Sequence, residues 1–487
     1  MSLRVERWLA FLALLALAAL VCGVFAFTAI ETFGTGFPLD DAWIHQTYAR
    51  NLGLRGEWAY LPGVPSAGST SPLWTALLAL GYRLGIDPYV WVEAWGVLLL
   101  ATAGYVGSRW VAARSPHLGR LAWAAGALLV LEWHLVWAGL SGMETLAQAF
   151  TVLLVFYALE ARWPPAVIGL LVGVGVWIRP DALLLLLPIG WMLGVEGRQD
   201  PMRAARRLMA VGGGVAILFI PYLGFNLMLG GQAWPSTFYA KQAEYAVELG
   251  RPLALRLAEQ WGVGLVGVGA VLAAGFVASI WIDAAGKRWA RLAPAIWWLA
   301  FLAAYSVRLP VTYQHGRYAM PAIPVLLLLG AEVMFTAALR ASGKWSRLLT
   351  RAWIVAAVAT AVAFLVPGGQ AYGQDVAIIE TEMVAPARWI AAHTERGDLI
   401  AAHDIGAVGY FSDRTLIDLA GLISPEVIPF VRDEARLAAY LEAHGADYLM
   451  TFPGWYPRLV AGRVPVYEST AAYAPAAGGE NMAVYPW

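Results

Sequence analysis

The sequence has almost no cysteine and little charge. Cys22 is the only cysteine among 487 residues, so a disulfide within the chain is excluded, and so are zinc sites built on cysteine pairs. There are 33 lysines and arginines and 33 aspartates and glutamates, which gives a formal net charge of zero. A balanced charge of this kind offers no basic field for nucleic acid.

Charged residues make up only 14% of the chain and hydrophobic residues 60%. Because soluble domains carry about 25% charged residues, this composition predicts a polytopic α-helical membrane protein. The first apolar stretch, residues 8–30, is too long for the apolar part of a signal peptide. We therefore expect it to be retained as a membrane helix.

The apolar pattern divides the chain into two predicted domains. The tail mixes short β-like runs with turn residues, which predicts a small α/β domain over 370–487 after a membrane domain over 1–369. A spanning helix needs about 20 mostly apolar residues. On that basis we expect about eleven spans, at 8–30, 88–110, 119–138, 143–161, 164–178, 181–196, 207–229, 261–282, 291–309, 318–340 and 348–367.

Lysine and arginine set the expected orientation. Most of those near the predicted spans lie on one side of the membrane if the N-terminus is cytoplasmic, as the positive-inside rule requires. Eleven crossings then place the C-terminal domain outside, together with long external loops at 31–87 and 230–260. The predicted location is the plasma membrane, with several crossings, a cytoplasmic N-terminus and an extracytoplasmic C-terminal domain.

Several ionisable residues fall near the outer ends of the predicted spans, among them Glu144, Arg179 and Asp181. Taken singly, each can be explained by snorkelling or helix capping at the interface, and Arg179 can simply pair with Asp181. Glu144 either faces a cavity or stabilises a helix N-terminus. Because ionisable groups in spans are costly, their shared depth predicts a polar cavity that opens at the outer leaflet.

Two adjacent aspartates open the first external loop, in the stretch "FPLDDAWIHQTYARNL" at 37–52. After Asp40 and Asp41 the pattern predicts a helix with an apolar face suited to lie along a membrane surface. Asp41 and His45 are four residues apart and therefore share a helix face. The alternative for either aspartate is that it caps this helix.

This loop resembles that of the C-type (GT-C) membrane glycosyltransferases. It continues to "YARNL" and "TSPLW", and further similar stretches are "SGMETLAQAF" at 141–150, "IRPDALLLLLP" at 178–188, "PSTFYAKQ" at 235–242, "GRYAMPAIP" at 316–324 and "DIGAVGYFSDRTLIDLAGL" at 404–422. The chain is most similar to bacterial members such as the mycobacterial terminal arabinofuranosyltransferases. The resemblance covers most of the chain.

The resemblance implies a donor in which a sugar is joined through phosphate to a polyprenol, and a glycan or glycolipid acceptor of the cell envelope. It also implies that a first-loop aspartate deprotonates the acceptor hydroxyl. We favour Asp40 as this base, with Asp41 orienting His45 or the acceptor, and the reverse assignment stays open. Arabinofuranose is one option among pentoses and hexoses for the sugar.

The chemistry of such a donor needs few residues. A phosphate leaves without a general acid and requires only cations, whereas a glycosidase needs two carboxyls. One carboxylate base is therefore sufficient, and single displacement would invert the anomeric centre. The candidate phosphate partners are Arg179, Lys241, His315 and Arg317.

No cofactor or metal is predicted, although Asp40, Asp41 and Glu144 would suit a divalent ion if the fold brought them together. In the tail, His403, Asp404 and Asp418 are expected to serve turns and strand ends. The rival function is a transporter or a lipid flippase. Transporters place polar sites at the midplane, often in repeated halves, whereas polar groups here lie at one face.

Overall fold

The computed structural model describes residues 3–487. The first four fifths of the chain is almost entirely helical. Its helices are α1 (Leu3–Thr32), α2 (Asp40–Arg55), α3 (Pro72–Leu84), α4 (Pro88–Arg114), α5 (Leu121–Val130), α6 (Trp133–Leu140), α7 (Thr145–Glu160), α8 (Pro165–Ile178), α9 (Leu186–Glu196), α10 (Pro201–Gly230), α11 (Ser236–Glu244), α12 (Leu253–Val263), α13 (Val268–Ala285), α14 (Ala293–Arg308), α15 (Tyr313–Gly316), α16 (Ile323–Arg340), α17 (Lys344–Ala363), α18 (Leu365–Ile379) and α19 (Ala385–His393).

Short 3₁₀ or π-helical turns link several of these helices. They lie at Pro116–Leu118, Pro180–Leu185, Ala246–Gly250, Trp289–Leu292, Met320–Ala322 and Glu380–Val384, and a further turn at Pro425–Phe430 lies in the C-terminal part.

Within the described residues, seven helical segments are long and apolar enough to cross a membrane, or eight if α5 and α6, bent by 56°, form one span. The chain is thus a polytopic helical membrane protein. Each of the eleven predicted spans overlaps helix, but the count of eleven is not confirmed. The reason is length: α7 and α8 have only 16 and 14 residues, and α9 has 11.

Charged side chains are buried together at one end of the helix bundle. Arg114 Nε lies 2.9 Å from Glu332 Oε2, and Arg114 Nη2 lies 3.1 Å from Asp283 Oδ2. Arg291 Nη2 lies 2.7 Å from the other oxygen of Glu332. These ion pairs tie the C-terminal ends of α4 and α13 to the middle of α16 and to the turn before α14.

The loop between α1 and α4 folds against the other end of the bundle. It contains α2, α3 and the small antiparallel pair β1 (Ala59–Leu61) and β2 (Val64–Pro65). The apolar face of α2 does not lie on a membrane surface as the sequence predicted. Trp43 instead packs against Tyr410 and Phe411, with each ring pair at 4.7 Å. This face is covered because a C-terminal helix docks on it.

The C-terminal part is a small α/β domain. Its elements are β3 (Leu399–Ala402), α20 (Gly406–Phe411), β4 (Thr415–Asp418), α21 (Glu434–His444), β5 (Tyr448–Thr451), β6 (Tyr467–Glu468), α22 (Tyr473–Ala476) and β7 (Ala483–Pro486). The five-stranded sheet has the order β4-β3-β5-β7-β6, in which β3 is parallel to β4 and β5 while β7 is antiparallel to β5 and β6. Buried leucines such as Leu437, Leu441 and Leu449 give the domain a core of its own.

Helix α18 continues through the π-helical turn at Glu380–Val384 into α19, so the last bundle helix leads directly into this domain. The domain also hydrogen bonds to the first loop. Arg50 Nη1 donates to Tyr410 O at 2.8 Å, and Tyr60 Oη donates to Ile405 O. The C-terminal domain and the loop at 31–87 therefore lie on the same side of the bundle. The predicted boundary at 369/370 stays a prediction.

Candidate functional site

Asp40 and Asp41 occupy the first turn of α2 and have different surroundings. Successive helix residues point about 100° apart, so adjacent side chains face different neighbours. The carboxylate of Asp40 is buried against the N-terminus of α20, where Oδ2 accepts from Gly406 N at 2.6 Å and Oδ1 accepts from Ala407 N at 2.7 Å. Burial and the charge of Asp404 raise the pKa of Asp40, while these two donors act to lower it. Asp40 thus joins the two domains.

Asp41 faces a cavity of about 420 Å³. The cavity lies between α2, α11, α14 and the turns that carry Arg179 and Arg317. Its lining residues are Asp41, Ile44, His45, Gly68, Thr70, Met143, Glu144, Arg179, Pro180, Asp181, Leu184, Trp234, Thr237, Phe238, Lys241, Gln242, Ala304, Tyr305, Arg308, Leu309, Arg317, Tyr318 and Leu422. The cavity wall therefore has two regions: one is polar and charged, and the other, which is larger, is apolar.

An ion pair with Arg317 dominates the electrostatics of Asp41. Arg317 Nη2 donates to Asp41 Oδ2. Burial acts to raise the pKa of Asp41, but the Arg317 guanidinium and the Lys241 ammonium outweigh it and hold that pKa well below its ordinary value. Asp41 is therefore ionised at neutral pH.

Arg317 has donors that no group of residues 3–487 accepts. Its side chain is 4% exposed. Nη2 is bonded to Asp41 and, at 3.0 Å, to Tyr318 Oη. Nε and Nη1 are buried without a hydrogen-bond partner among the described residues. Since an unsatisfied buried donor is costly, two such nitrogens beside a cavity are suited to bind an anion.

His45 and Glu144 link α2 to the start of α7. His45 Nε2 lies 3.3 Å from Glu144 Oε2, and His45 Nδ1 lies 3.1 Å from Thr75 Oγ1. The other oxygen of Glu144 accepts from Arg179 Nη1 at 2.6 Å. Glu144 is fully buried, so its charge depends on these two partners.

Arg179 continues this network toward α14. Its Nε lies 3.0 Å from Asp181 Oδ2, and its Nη2 donates to Tyr305 Oη at 2.8 Å. Gln148 Nε2 donates to the second oxygen of Asp181 at 2.9 Å. The pairing of Arg179 with Asp181 thus exists, but it is one contact of a network that includes Glu144 and faces the cavity.

Lys241 supplies a third cation, from α11. Its Nζ lies 3.4 Å from Glu244 Oε2, and Glu244 Oε1 lies 3.3 Å from His403 Nε2 of the C-terminal domain. Asp404 interacts electrostatically with Asp41 and Lys241, and burial is the main cause that raises its pKa. The segment 403–404 therefore lies close to the charged residues of the cavity without lining it.

The structure brings seven of the sequence-predicted site residues to one cavity: Asp41, His45, Glu144, Arg179, Asp181, Lys241 and Arg317. Two do not line it. Asp40 bonds to α20 as described, and His315 Nε2 lies 2.7 Å from Asp375 Oδ2, between Trp133 and Trp137.

Sequence reasoning missed Tyr305, Tyr318, Gln148 and Asp404. A polar hydroxyl inside the predicted span 291–309 was the available signal for Tyr305. For Asp404 the sequence predicts only a role in a turn or at a strand end. Asp418 does serve a turn, since it accepts from Ala420 N at 2.8 Å and from Ile423 N at 2.7 Å.

The three acidic residues considered for a divalent ion are not brought together as a set. Asp40 is bonded to α20, and Glu144 is bonded to Arg179 and His45. Within residues 3–487 no group of three or more His, Cys, Asp or Glu side chains has the arrangement of a metal site.

Residues 371–485 match a family model described as a domain of unknown function, DUF8728. A search of curated sequences finds no match. Solved structures do match, at low sequence identity.

The archaeal oligosaccharyltransferase AglB from Archaeoglobus fulgidus, in complex with an inhibitory peptide and a dolichol-phosphate, superposes with a TM-score of 0.62 at 12% identity, over 93% of this chain and 70% of that chain. ArnT from Cupriavidus metallidurans, bound to undecaprenyl phosphate, superposes with a TM-score of 0.58 at 15% identity, over 96% of this chain and 97% of that chain. The mycobacterial arabinofuranosyltransferase AftD superposes with a TM-score of 0.45 at 16% identity, over 96% of this chain and 39% of that chain. A TM-score this low supports no inference. The first two likenesses show that this chain has the GT-C fold.

Proposed function

We propose that this protein is a glycosyltransferase that moves a sugar from a polyprenyl-phosphate donor to an acceptor hydroxyl at the outer face of the membrane. One observation carries the proposal. A single cavity joins the carboxylate of Asp41 to the cations Arg179, Lys241 and Arg317 beside an apolar wall. Two structures of the same fold, AglB and ArnT, contain a polyprenyl-type phosphate.

The cations fit the phosphate of such a donor. Arg317 has two guanidinium nitrogens, Nε and Nη1, without a hydrogen-bond partner among the described residues, and each can donate to a phosphate oxygen. Arg179 is already bonded to Glu144, Asp181 and Tyr305, so we assign it mainly to fixing the network. Lys241, which has one carboxylate partner at 3.4 Å, supports Arg317 as a second positive charge.

Asp41 fits the role of the base better than Asp40. Its carboxylate faces the cavity, whereas both oxygens of Asp40 accept backbone N–H groups of α20. A carboxylate whose pKa is lowered by Arg317 is a weak base in the empty site. A donor phosphate on Arg317 would compete for that guanidinium, and Asp41 would become more basic when the donor binds.

The reaction is then a single displacement. The acceptor oxygen forms a bond to the anomeric carbon as the bond from that carbon to the phosphate oxygen breaks. The hydroxyl proton passes to Asp41, and the polyprenyl phosphate leaves with one added negative charge that Arg317 and Lys241 stabilise. The anomeric centre is inverted.

The apolar wall of the cavity fits the lipid part of the donor. Leu184, Ala304 and Leu309 line it beside Trp234 and Phe238. A glycan or glycolipid acceptor would approach from the side of the C-terminal domain, where His403 and Asp404 lie. We leave the sugar open, with arabinofuranose one of the options, since small changes of pocket shape select between sugars.

Purified protein tested against a panel of labelled polyprenyl-phosphate sugars should release polyprenyl phosphate. Asp41→Asn should lower the rate of sugar transfer at least about 100-fold, since a positioned general base usually contributes a factor of this size. Asp413→Asn is the matched control, because Asp413 is exposed and does not line the cavity.

Full activity of Asp41→Asn would overturn the assignment of the base. The rival function, transport or lipid flipping, would be supported if the whole donor panel gave no turnover while proteoliposomes accumulated a sugar or moved a labelled lipid.

A further inference from the structure

His315 lies outside the cavity but only two residues before Arg317. Its Nε2 lies 2.7 Å from Asp375 Oδ2, and Trp137 Nε1 donates to the same oxygen at 2.9 Å. The rings of Trp133 and Trp137 flank the imidazole edge-on, each at 5.4 Å between centroids. The imidazole of His315 thus packs against two tryptophans of α6, and its Nε2 is bonded to Asp375 of α18.

The short element α15 (Tyr313–Gly316) is a left-handed turn and not a regular helix, and its own sequence does not favour that conformation. Gln314, His315 and Gly316 have φ values of 53°, 57° and 70°, all in the left-handed region. L-residues other than glycine rarely adopt this region, and two in succession need outside support. Gly316 fits because a Cβ there would collide with Val263 of α12.

Arg317 follows directly, and the left-handed turn at 314–316 sets the direction in which its side chain leaves the backbone. Arg317 then reaches Asp41, which lies 276 positions away in the sequence. Hydrogen bonds inside this region, from Gly316 N to Thr312 O at 2.9 Å and from Ala319 N to Gly316 O at 2.8 Å, leave the His315 side chain as its polar anchor to α18.

We propose that the contact between Asp375 and His315 holds this left-handed turn and thereby positions Arg317 toward the cavity. Asp375 and His315 are positioning residues, and neither touches the ligand. The ligand, a polyprenyl phosphate, rests on the proposed function, whereas the anchoring of the turn does not.

Binding of undecaprenyl phosphate to the purified full-length protein tests the proposal. Asp375→Ala should weaken binding by about tenfold or more, because the turn loses the half-buried acceptor that holds His315. Asp375→Asn should stay within about threefold of wild type, since its amide oxygen still accepts from His315 and Trp137. Gln374→Ala, on the exposed side of the same helix, is the matched control.

A double-mutant cycle separates positioning from general stability. If Asp375 acts through Arg317, then Asp375→Ala in an Arg317→Ala background should cause no further loss of affinity. Additive losses, or wild-type affinity of a folded Asp375→Ala, would overturn the proposal.

Failure of the proposed function would look different. If wild-type protein binds no polyprenyl phosphate, the ligand assignment falls and the anchoring is judged by hydrogen exchange alone. Asp375→Ala should then increase amide exchange over 313–319, while Gln374→Ala should not. Unchanged exchange in Asp375→Ala would overturn the anchoring.

Discussion

Asp40 and Asp41 show how much of a residue's role depends on distant partners. Both stand in the first turn of α2, and both are candidates from sequence alone. The partner of Asp40 is Gly406, 366 positions further along the chain, and that of Asp41 is Arg317. Because no local pattern encodes such pairings, the sequence predicts the pair of aspartates but cannot assign the base.

Asp40→Asn should weaken the docking of the C-terminal domain without removing the chemistry. The amide keeps only one oxygen for two backbone donors, so we expect a loss of about 1–3 kcal/mol in stability. Limited proteolysis should cut more readily near 403–412, while kcat of the folded protein stays within about threefold of wild type. If Asp40→Asn lost as much kcat as Asp41→Asn, this result would support Asp40 as the base.

Replacing Arg317 should shift the pH dependence of transfer. The active form of Asp41 is its carboxylate, whose fraction falls as the pH falls through the pKa. Burial raises that pKa, and Arg317 and Lys241 lower it further than burial raises it. In Arg317→Gln the pKa rises, so the acid limb of kcat/KM moves to higher pH.

The measurement is a profile of kcat/KM from about pH 3 to pH 8, in which a limb reports the free enzyme's essential base. Arg317→Lys keeps the charge and should move the limb less. His45 and Asp404 also act on Asp41, so Asp404→Asn is scanned in parallel to identify a limb that belongs to this neighbour. An acid limb at the same pH in Arg317→Gln and wild type would contradict the pairing.

At the scale of elements, glycines set how closely the helices approach. A Cβ on Gly96 of α4 would collide with the carbonyl of Gly139 in α6, and one on Gly126 of α5 would collide with that of Gly104 in α4. Small residues at crossings let membrane helices pack closely, since lipid gives no hydrophobic drive between them. These contacts hold the bent pair α5 and α6 against α4.

Gly96→Ala should therefore lower stability by about 1–3 kcal/mol, the usual cost of overpacking. Gly212→Ala in α10 is the control, because its Cβ would meet nothing within 4 Å. That change should be neutral or stabilise by about 0.5–1 kcal/mol through helix propensity. Thermal unfolding in detergent compares the two. Equal unfolding temperatures would show that the crossing of α4 and α6 tolerates a methyl group.

Sequence predicts elements well where composition and capping agree. The span expected at 88–110 is α4 (Pro88–Arg114), which starts with proline and is capped by Asp87, whose Oδ1 accepts from Tyr89 N at 2.9 Å. The expectation for α2 was wrong in one respect, since its apolar face packs on α20 and not on a membrane surface. An apolar helix face predicts that the face will be buried, but it does not predict which element will cover it.

At the scale of the whole molecule, charge is concentrated at the two ends of the bundle. One end buries Arg114 with Asp283 and Glu332, whereas the other holds the cavity with Asp41 and Arg317. The sequence could predict the cavity because charged groups in apolar segments are costly and therefore gather. It could not predict His315 as an anchor, since only tertiary structure brings Asp375 beside it.

The orientation of these two ends can be tested with the single cysteine. Cys22 is buried, so Cys22→Ser gives a cysteine-free background. Val464→Cys would report the end with the cavity, since Val464 is 79% exposed on the C-terminal domain, and Ser342→Cys would report the other end, in the exposed link between α16 and α17. A membrane-impermeant maleimide should label Val464→Cys in intact cells and Ser342→Cys only after permeabilisation, because the positive-inside rule places the second end in the cytoplasm. The reverse labelling pattern would show that the cavity faces the cytoplasm, and it would contradict the proposed transfer at the outer face.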